Sequence, residues 1–217
     1  MLANFWADIK SSENLKSKDI DGLAQIIMIN VESVFKKSKN LVNCEAPIID
    51  IEKNRIKKLI LNWLEFEKKG EDFKVVGIEK KVNGKVFDSS VSCRLDRLDR
   101  LADGSLRVVD YKTGTFIKGD LEPPRINAPQ LYLYSILVGL DKVKSFSVAK
   151  VHQKTASVIS KILQANDNKS WHEDLVNLNQ EINNGFAARI PKRPEATCNF
   201  CDQKLFCRIK TFENSKK

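Results

Sequence analysis

Apolar positions in residues 1–40 recur with the spacing of helices. Leu2, Phe5, Trp6 and Ile9 make one stripe, and Ile20, Leu23, Ala24, Ile27, Val31, Val34 and Phe35 make a second. Both stripes read as core-facing. Residues 41–52, around Cys44, Pro47 and Asp50, read as a loop, and residues 53–69 as an amphipathic helix through Ile56, Leu59, Ile60, Trp63, Leu64 and Phe66 that ends near Gly70. The pattern then shifts to strands. Phe73 to Val82 predicts one strand, Asn83-Gly84 a turn, and Val86 to Leu101 the next strand. Asp103-Gly104 is a strong hairpin signal, and the strand after it is apolar to Val109 before it carries Asp110, Tyr111 and Lys112. A polar connection, 113–129, leads to a helix over 128–138, a strand from Val143 to Val151, a paired strand near Ala156 to Leu163, and an amphipathic helix within 166–188 that carries Trp171, Leu175, Leu178, Ile182 and Phe186.

The hairpin around Asp103-Gly104 holds the densest chemistry. Side chains on a strand alternate faces, so Asp110 and Lys112 share one. Directly opposed residues on paired strands also share a face. A three-residue turn, Ala102 to Gly104, sets Asp96 across from Asp110, whereas a two-residue turn at Asp103-Gly104 sets Asp96 across from Tyr111, on the wrong face. A joint site therefore requires the longer turn or a bulge. Two carboxylates held together repel unless a cation sits between them. Hard oxygen ligands suit magnesium or manganese. Such an ion activates water and stabilises charge on a phosphoryl oxygen, with Lys112 placed to orient the water or to balance negative charge. On spacing alone, a surface hairpin with ordinary ion pairs, Asp96–Arg97 or Asp110–Lys112, fits as well.

Length and composition narrow the class. The 217 residues are enough for one domain with a real core, and 42% hydrophobic with 30% charged residues is a globular balance. No run of 18 apolar residues occurs, and no basic and apolar leader is visible at Met1. Five cysteines, three of them clustered, favour metal ligation in a reducing, cytoplasmic setting over a disulfide framework. A net charge of +9 fits a polyanionic partner.

Arg94-Leu95-Asp96-Arg97-Leu98-Asp99 and Val109-Asp110-Tyr111-Lys112-Thr113-Gly114 resemble motifs II and III of the PD-(D/E)XK nucleases. Gln130-Leu131-Tyr132-Leu133-Tyr134 resembles the QxxxY motif of the RecB-like branch, and Cys198-x-x-Cys201-x5-Cys207 the C-terminal half of its iron–sulfur staple. The likeness is nearest to the nuclease end of AddB-type bacterial DNA repair proteins, and it runs from about Met1 to Ile209.

That resemblance implies an α/β fold: a restriction-endonuclease-like core, with a mixed central sheet flanked by helices, in a single domain over 1–217 with a Cys-rich segment at 189–209. It implies a Mg2+- or Mn2+-dependent deoxyribonuclease, exonuclease-like, that acts on single-stranded DNA ends supplied by a helicase in double-strand-break repair. Asp96 and Asp110, with the Tyr111 carbonyl, become metal ligands; Lys112 positions or activates water; Gln130 and Tyr134 support them. Cys198, Cys201 and Cys207 become ligands of a 4Fe–4S cluster in the full-length protein, with zinc as the rival metal. The family segment with a Cys-Pro-Phe and a Gly-Thr-x-x-His motif has no counterpart here, so a truncated chain is expected, its cluster incomplete or absent. Cys44 and Cys93 do not suit the missing cluster position, and Cys93 reads as a small packed residue. His152 and His172 read as incidental. Glu79 has two readings, an extra acid facing the metal and, more simply, a solvated edge residue beside Lys80 and Lys81. Lys118 and Arg125 read equally as phosphate contacts or as solubilising charges. The alternative function is a catalytically impaired DNA-binding or structural remnant; a zinc-binding adaptor built on residues 198–207 leaves the hairpin residues unexplained.

Overall fold

The computed structural model describes residues 1–38, 45–87, 89–113, 118–122, 129–151, 157–163, 165–185, 198 and 201–202. They divide into two compact units, one of residues 1–116 and 130–163, the other of residues 117–129 and 164–217.

The larger unit opens with helices α1 (Leu2–Ile9), α2 (Ser12–Lys16), α3 (Ile20–Lys37) and α4 (Ala46–Glu67). Ser11 and Asp19 cap α2 and α3, their side chains accepting from Asn14 N and Gly22 N. The fourth helix begins earlier than the sequence pattern implies. Residues 46–52, read as loop, are its first two turns, because Pro47 stands at a position where a missing N–H costs nothing.

Five strands follow: β1 (Phe73–Val86), β2 (Ser89–Leu101), β3 (Leu106–Lys112), β4 (Val143–Lys150) and β5 (Ser157–Ile162), with α5 (Pro129–Val138) between β3 and β4. The sheet order is β1-β2-β3-β4-β5. All neighbours are antiparallel except β3 and β4, which are parallel. The sheet is therefore mixed and the fold α/β, of the restriction-endonuclease-like kind. A second correction falls at Asn83-Gly84, which is no turn. Asn83 pairs with Ser92 and Gly84 with Val91 inside the ladder, and the chain reverses after Val86, which pairs with Ser89.

One face of the sheet packs on α1 to α4. Phe5, Trp6, Ile9, Leu15, Leu23, Ile27, Val31, Ile60, Trp63 and Leu64 join Phe73, Val109 and Ala149 in one core, with Tyr111 against it. Val109 and Tyr111 thus point to the helices, and alternation sends Val108, Asp110 and Lys112 to the other face. There α5 supplies Gln130 and Tyr134. The smaller unit contains a short 3-10 helix, Lys118–Leu121, and α6 (Ala165–Asn183), with Asp120, Leu121 and Trp171 buried. Among the described residues, no helix is long and apolar enough to cross a membrane.

Candidate active site

The β2–β3 turn sets the site's register. Arg97 pairs with Val109, Leu98 with Val108, Asp99 with Arg107 and Arg100 with Leu106. This is the register of the three-residue turn. Gly104 N donates to Leu101 O at 3.0 Å, Leu101 N donates to Ser105 O at 2.9 Å, and Gly104 takes φ 83°, where a side chain is strained. The side chain of Asp103 accepts from Ser105 N at 3.0 Å and is ion-paired with Lys144 on β4.

In an antiparallel ladder, hydrogen-bonded pairs recur every second residue. Here they are Leu101 with Ser105, Asp99 with Arg107 and Arg97 with Val109, and the next would be Leu95 with Tyr111. The paired register ends at Arg97, however, and Tyr111 N donates to Asp96 Oδ2 at 2.9 Å instead. The carboxylate of Asp96 takes the place of a backbone acceptor where the two strands part. Across from it on β1 lies Glu79, whose φ of 45° kinks that strand at the same level. The Glu79 carboxylate lies 2.9 Å from Arg94 Nε and is partly exposed, as a solvated edge residue would be.

Asp110, continuing the register, faces Asp96 and is only 4% exposed. Its Oδ1 accepts from Gln130 Nε2 at 2.8 Å, and its Oδ2 lies 3.0 Å from Lys112 Nζ. That second contact is an ion pair without hydrogen-bond alignment, so Oδ2 is a buried oxygen with an unused lone pair. Burial pushes the Asp110 pKa upward; Lys112 opposes this, and the charge of Asp96 adds to it. Tyr134 Oη donates to the Arg94 carbonyl at 3.1 Å, and its pKa is pushed up to about 12 by burial and by the charges of Asp110 and Asp96. The structure thus brings Asp96, Asp110, Lys112, Gln130 and Tyr134 to one place.

Their donor set fits a hard divalent cation. No group of three or more His, Cys, Asp or Glu side chains occurs among the described residues. Two carboxylates and the Tyr111 carbonyl are what is offered, and magnesium commonly keeps several waters beside one or two carboxylates. The unaligned Asp110 Oδ2 and the upward pKa shift both mark a charge that a cation would relieve.

The reverse face holds a cluster that the sequence pattern does not reveal. Arg97, 1% exposed, lies over the rings of Trp6 and Phe73, with its guanidinium carbon 4.3 and 4.6 Å from their centroids. One terminal nitrogen, Nη2, donates to Glu67 of α4 and, at 2.9 Å, to Asp99; the other, Nη1, donates to Tyr111 Oη at 2.8 Å. Arg107 closes the cluster on Asp99 at 2.9 Å. Burial alone would lower the Arg97 pKa, but Tyr111, Asp99 and Glu67 more than offset it. The Asp96–Arg97 surface pair is accordingly not formed: the two side chains lie on opposite faces. The one signal in the sequence is the alternation itself, which sends Arg97 to the same side as Val109.

Cys198 and Cys201 are partly buried in the smaller unit, with Cys201 N donating to Cys198 O at 3.3 Å. Cys207, Cys44, Arg125 and His152 lie outside the described residues. Cys93 is partly buried in β2, and burial raises its thiol pKa. Lys118 opens the 3-10 helix and His172 lies exposed on α6, both in the smaller unit.

Residues 7–208 match the sequence model of the PD-(D/E)XK nuclease superfamily. Among solved structures, the protein SSO0001 is similar at 16% identity and a TM-score of 0.41, over 84% of this chain and 94% of that one. A candidate exonuclease from Eubacterium rectale is similar at 16% identity and a TM-score of 0.42, over 88% of this chain and 75% of that one. No curated protein matches the sequence.

Proposed function

Because the chain belongs to the PD-(D/E)XK nuclease superfamily, we propose that it is a Mg2+- or Mn2+-dependent deoxyribonuclease of the RecB-like, AddB-type branch. In this reading it is the nuclease module of a helicase–nuclease that digests single-stranded ends during DNA double-strand-break repair. The observation that carries the reading is the three-residue-turn register, which ends at Arg97–Val109 and delivers Asp96 onto the Tyr111 N–H at 2.9 Å beside Asp110, with Lys112 3.0 Å from the Asp110 carboxylate.

Asp96, Asp110 and the Tyr111 carbonyl would hold the cation. Bound there, it supplies positive charge to a phosphoryl oxygen and acidifies water. Gln130 fixes Asp110 through Oδ1 and leaves Oδ2 to turn toward the cation. The Tyr111 N–H fixes Asp96 in the same way. Lys112, which is partly exposed, orients the attacking water and offsets negative charge as the phosphodiester bond breaks. Tyr134 keeps its proton throughout the neutral range, so it acts as a donor that ties α5 to β2 rather than as a base. Cys198, Cys201 and Cys207 would supply three ligands of a 4Fe–4S cluster in the full-length protein, and in this chain, where neither Cys44 nor Cys93 suits the fourth position, that cluster is incomplete or absent.

The test is cleavage of labelled single-stranded DNA with Mg2+ or Mn2+, in the parent chain and in Asp110→Ala and Lys112→Ala. Both substitutions should abolish cleavage. A chain with two carboxylates but no third acidic or histidine ligand among the described residues also suits a DNA-binding module without turnover. DNA binding by a parent chain that does not cleave would establish that second reading.

A further inference from the structure

The two carboxylates reach the site on separately braced strands. Pairing of β2 with β3 stops at Arg97 and Val109. On its other side β3 stays paired with β4 through Asp110, Tyr111 and Lys112. Likewise Leu95 and Arg97, the neighbours of Asp96, stay paired with β1. Asp110 therefore rides on β3 and β4, and Asp96 on β1 and β2. Past Arg97 the two pairs of strands part as a fork, with one carboxylate on each branch. The spacing of the carboxylates then depends on what crosses the fork. Helix α5 spans it, since Gln130 reaches Asp110 and Tyr134 reaches the Arg94 carbonyl.

Tyr111 crosses the fork directly, and twice. Its main-chain N–H donates to Asp96 Oδ2 at 2.9 Å, and its phenol oxygen accepts from Arg97 Nη1 at 2.8 Å. Two consecutive residues of β2 are thus tied to one residue of β3. The far anchor is itself fixed. The Arg97 guanidinium donates to Glu67 of α4 and to Asp99, and it lies over the rings of Trp6 and Phe73. The Tyr111 ring packs edge-on against Trp63, with 6.1 Å between centroids. A side chain held at both ring and hydroxyl has little freedom, so the N–H on the same residue is aimed at one place.

We propose that the Tyr111 side chain is a positioning group: its bond to Arg97 fixes the gap between β2 and β3, and with it the spacing of Asp96 and Asp110 that selects a small divalent cation, an inference that rests on the cation reading of the site. Magnesium demands near-ideal octahedral geometry at about 2.0–2.1 Å, whereas calcium accepts longer and less regular coordination. A clamped pair of carboxylates suits the first ion. Loosening the pair penalises magnesium more than calcium. Groups that orient metal ligands without touching the metal typically carry about 10- to 100-fold in affinity.

The test is the affinity of the full chain for Mg2+ and for Ca2+, each competing with Mn2+ whose free fraction is read by electron paramagnetic resonance. Tyr111→Phe keeps the ring, the main-chain N–H and the carbonyl, and removes only the hydroxyl. It should lower Mg2+ affinity about tenfold and Ca2+ affinity by about twofold at most, so that the preference for Mg2+ falls. Arg97→Lys keeps the charge but not the fork that reaches Tyr111, and should shift the preference the same way. Glu67→Gln perturbs the same buried cluster from α4, leaves the Arg97–Tyr111 bond in place, and should keep the parent preference. An equal loss for both ions in Tyr111→Phe, an unchanged Mg2+ affinity there, or the same shift in Glu67→Gln would overturn the proposal. Asp110→Asn separates it from the cation reading. If that variant loses Mn2+ while Tyr111→Phe keeps the parent preference, only the clamp fails. A parent chain that binds no Mn2+, or an Asp110→Asn variant that binds it as the parent does, overturns both.

Discussion

Tyr111 has a role on each face of the sheet. Its main-chain N–H holds Asp96 at the site, and its phenol accepts from Arg97 within the helical core. Arg97 is thus the far end of a strut that runs through the sheet to a candidate ligand. A buried arginine between two carboxylates is stable only as a set, and removing one member leaves the others uncompensated. Arg97→Met should therefore lower unfolding free energy by about 3–5 kcal/mol, read from urea melts; a change below about 0.5 kcal/mol, as at an exposed site, would contradict the buried cluster. Asp110 gives a second residue-scale expectation, in pH. Its folded pKa lies above its ordinary value, so the folded state holds the proton more tightly than the unfolded chain does. Without a cation, stability therefore falls as pH rises from the unfolded value through the raised one. A cation competes with that same proton, so Mn2+ affinity should be constant above the raised pKa and fall below it. The fall should begin at a higher pH than for an ordinary aspartate, whose pKa is about 3.9. Calorimetric titration with Mn2+ across pH reads this directly; a midpoint at or below the ordinary value would contradict it.

At the scale of elements, the β2–β3 hairpin decides whether the two carboxylates meet. Gly104 holds a left-handed conformation that a β-branched residue tolerates poorly, so Gly104→Val should destabilise the chain by about 1–2 kcal/mol. It should also weaken Mn2+ binding, because this turn is what holds the register; unchanged Mn2+ affinity in the folded variant would dissociate turn from site. The period of two explains why this hairpin is legible in the sequence: in a regular ladder, turn length determines whether Asp96 lies across from Asp110 or from Tyr111. The end of the ladder at Arg97 is not legible in that way, because nothing in a residue pattern says that a side chain will replace a backbone acceptor. Arg97, Asp99 and Glu67 are hidden for a related reason. Charged residues read as solvent-facing until a second element, here α4, is known to cover them. Pro47 and Asn83-Gly84 mislead because each signal has two uses. Proline starts helices as well as loops, and Asn-Gly sits in a ladder when a better reversal follows at Phe87.

At the scale of the whole molecule, the site couples to the stability of the larger unit, since Asp96, Asp110, Lys112, Gln130 and Tyr134 all belong to it. Their convergence exists only in the folded chain: α5 brings Gln130, and the three-stranded ladder brings the two carboxylates. A divalent cation bound there binds the native state and not the unfolded one. At a concentration one hundred times its Kd it should add about 2.7 kcal/mol. For a chain of this length each kcal/mol corresponds to about 2–4 °C in Tm, so saturating Mg2+ should raise Tm by about 5–11 °C. Asp110→Asn should behave in two opposite ways. Without cation it removes a buried negative charge that burial and Asp96 both disfavour, so its Tm should equal or exceed that of the parent. With cation it should lose the increment. A Tm rise of the same size in Asp110→Asn would locate the stabilising cation away from this pair of strands, and the nuclease centre would have to be sought elsewhere in the fold.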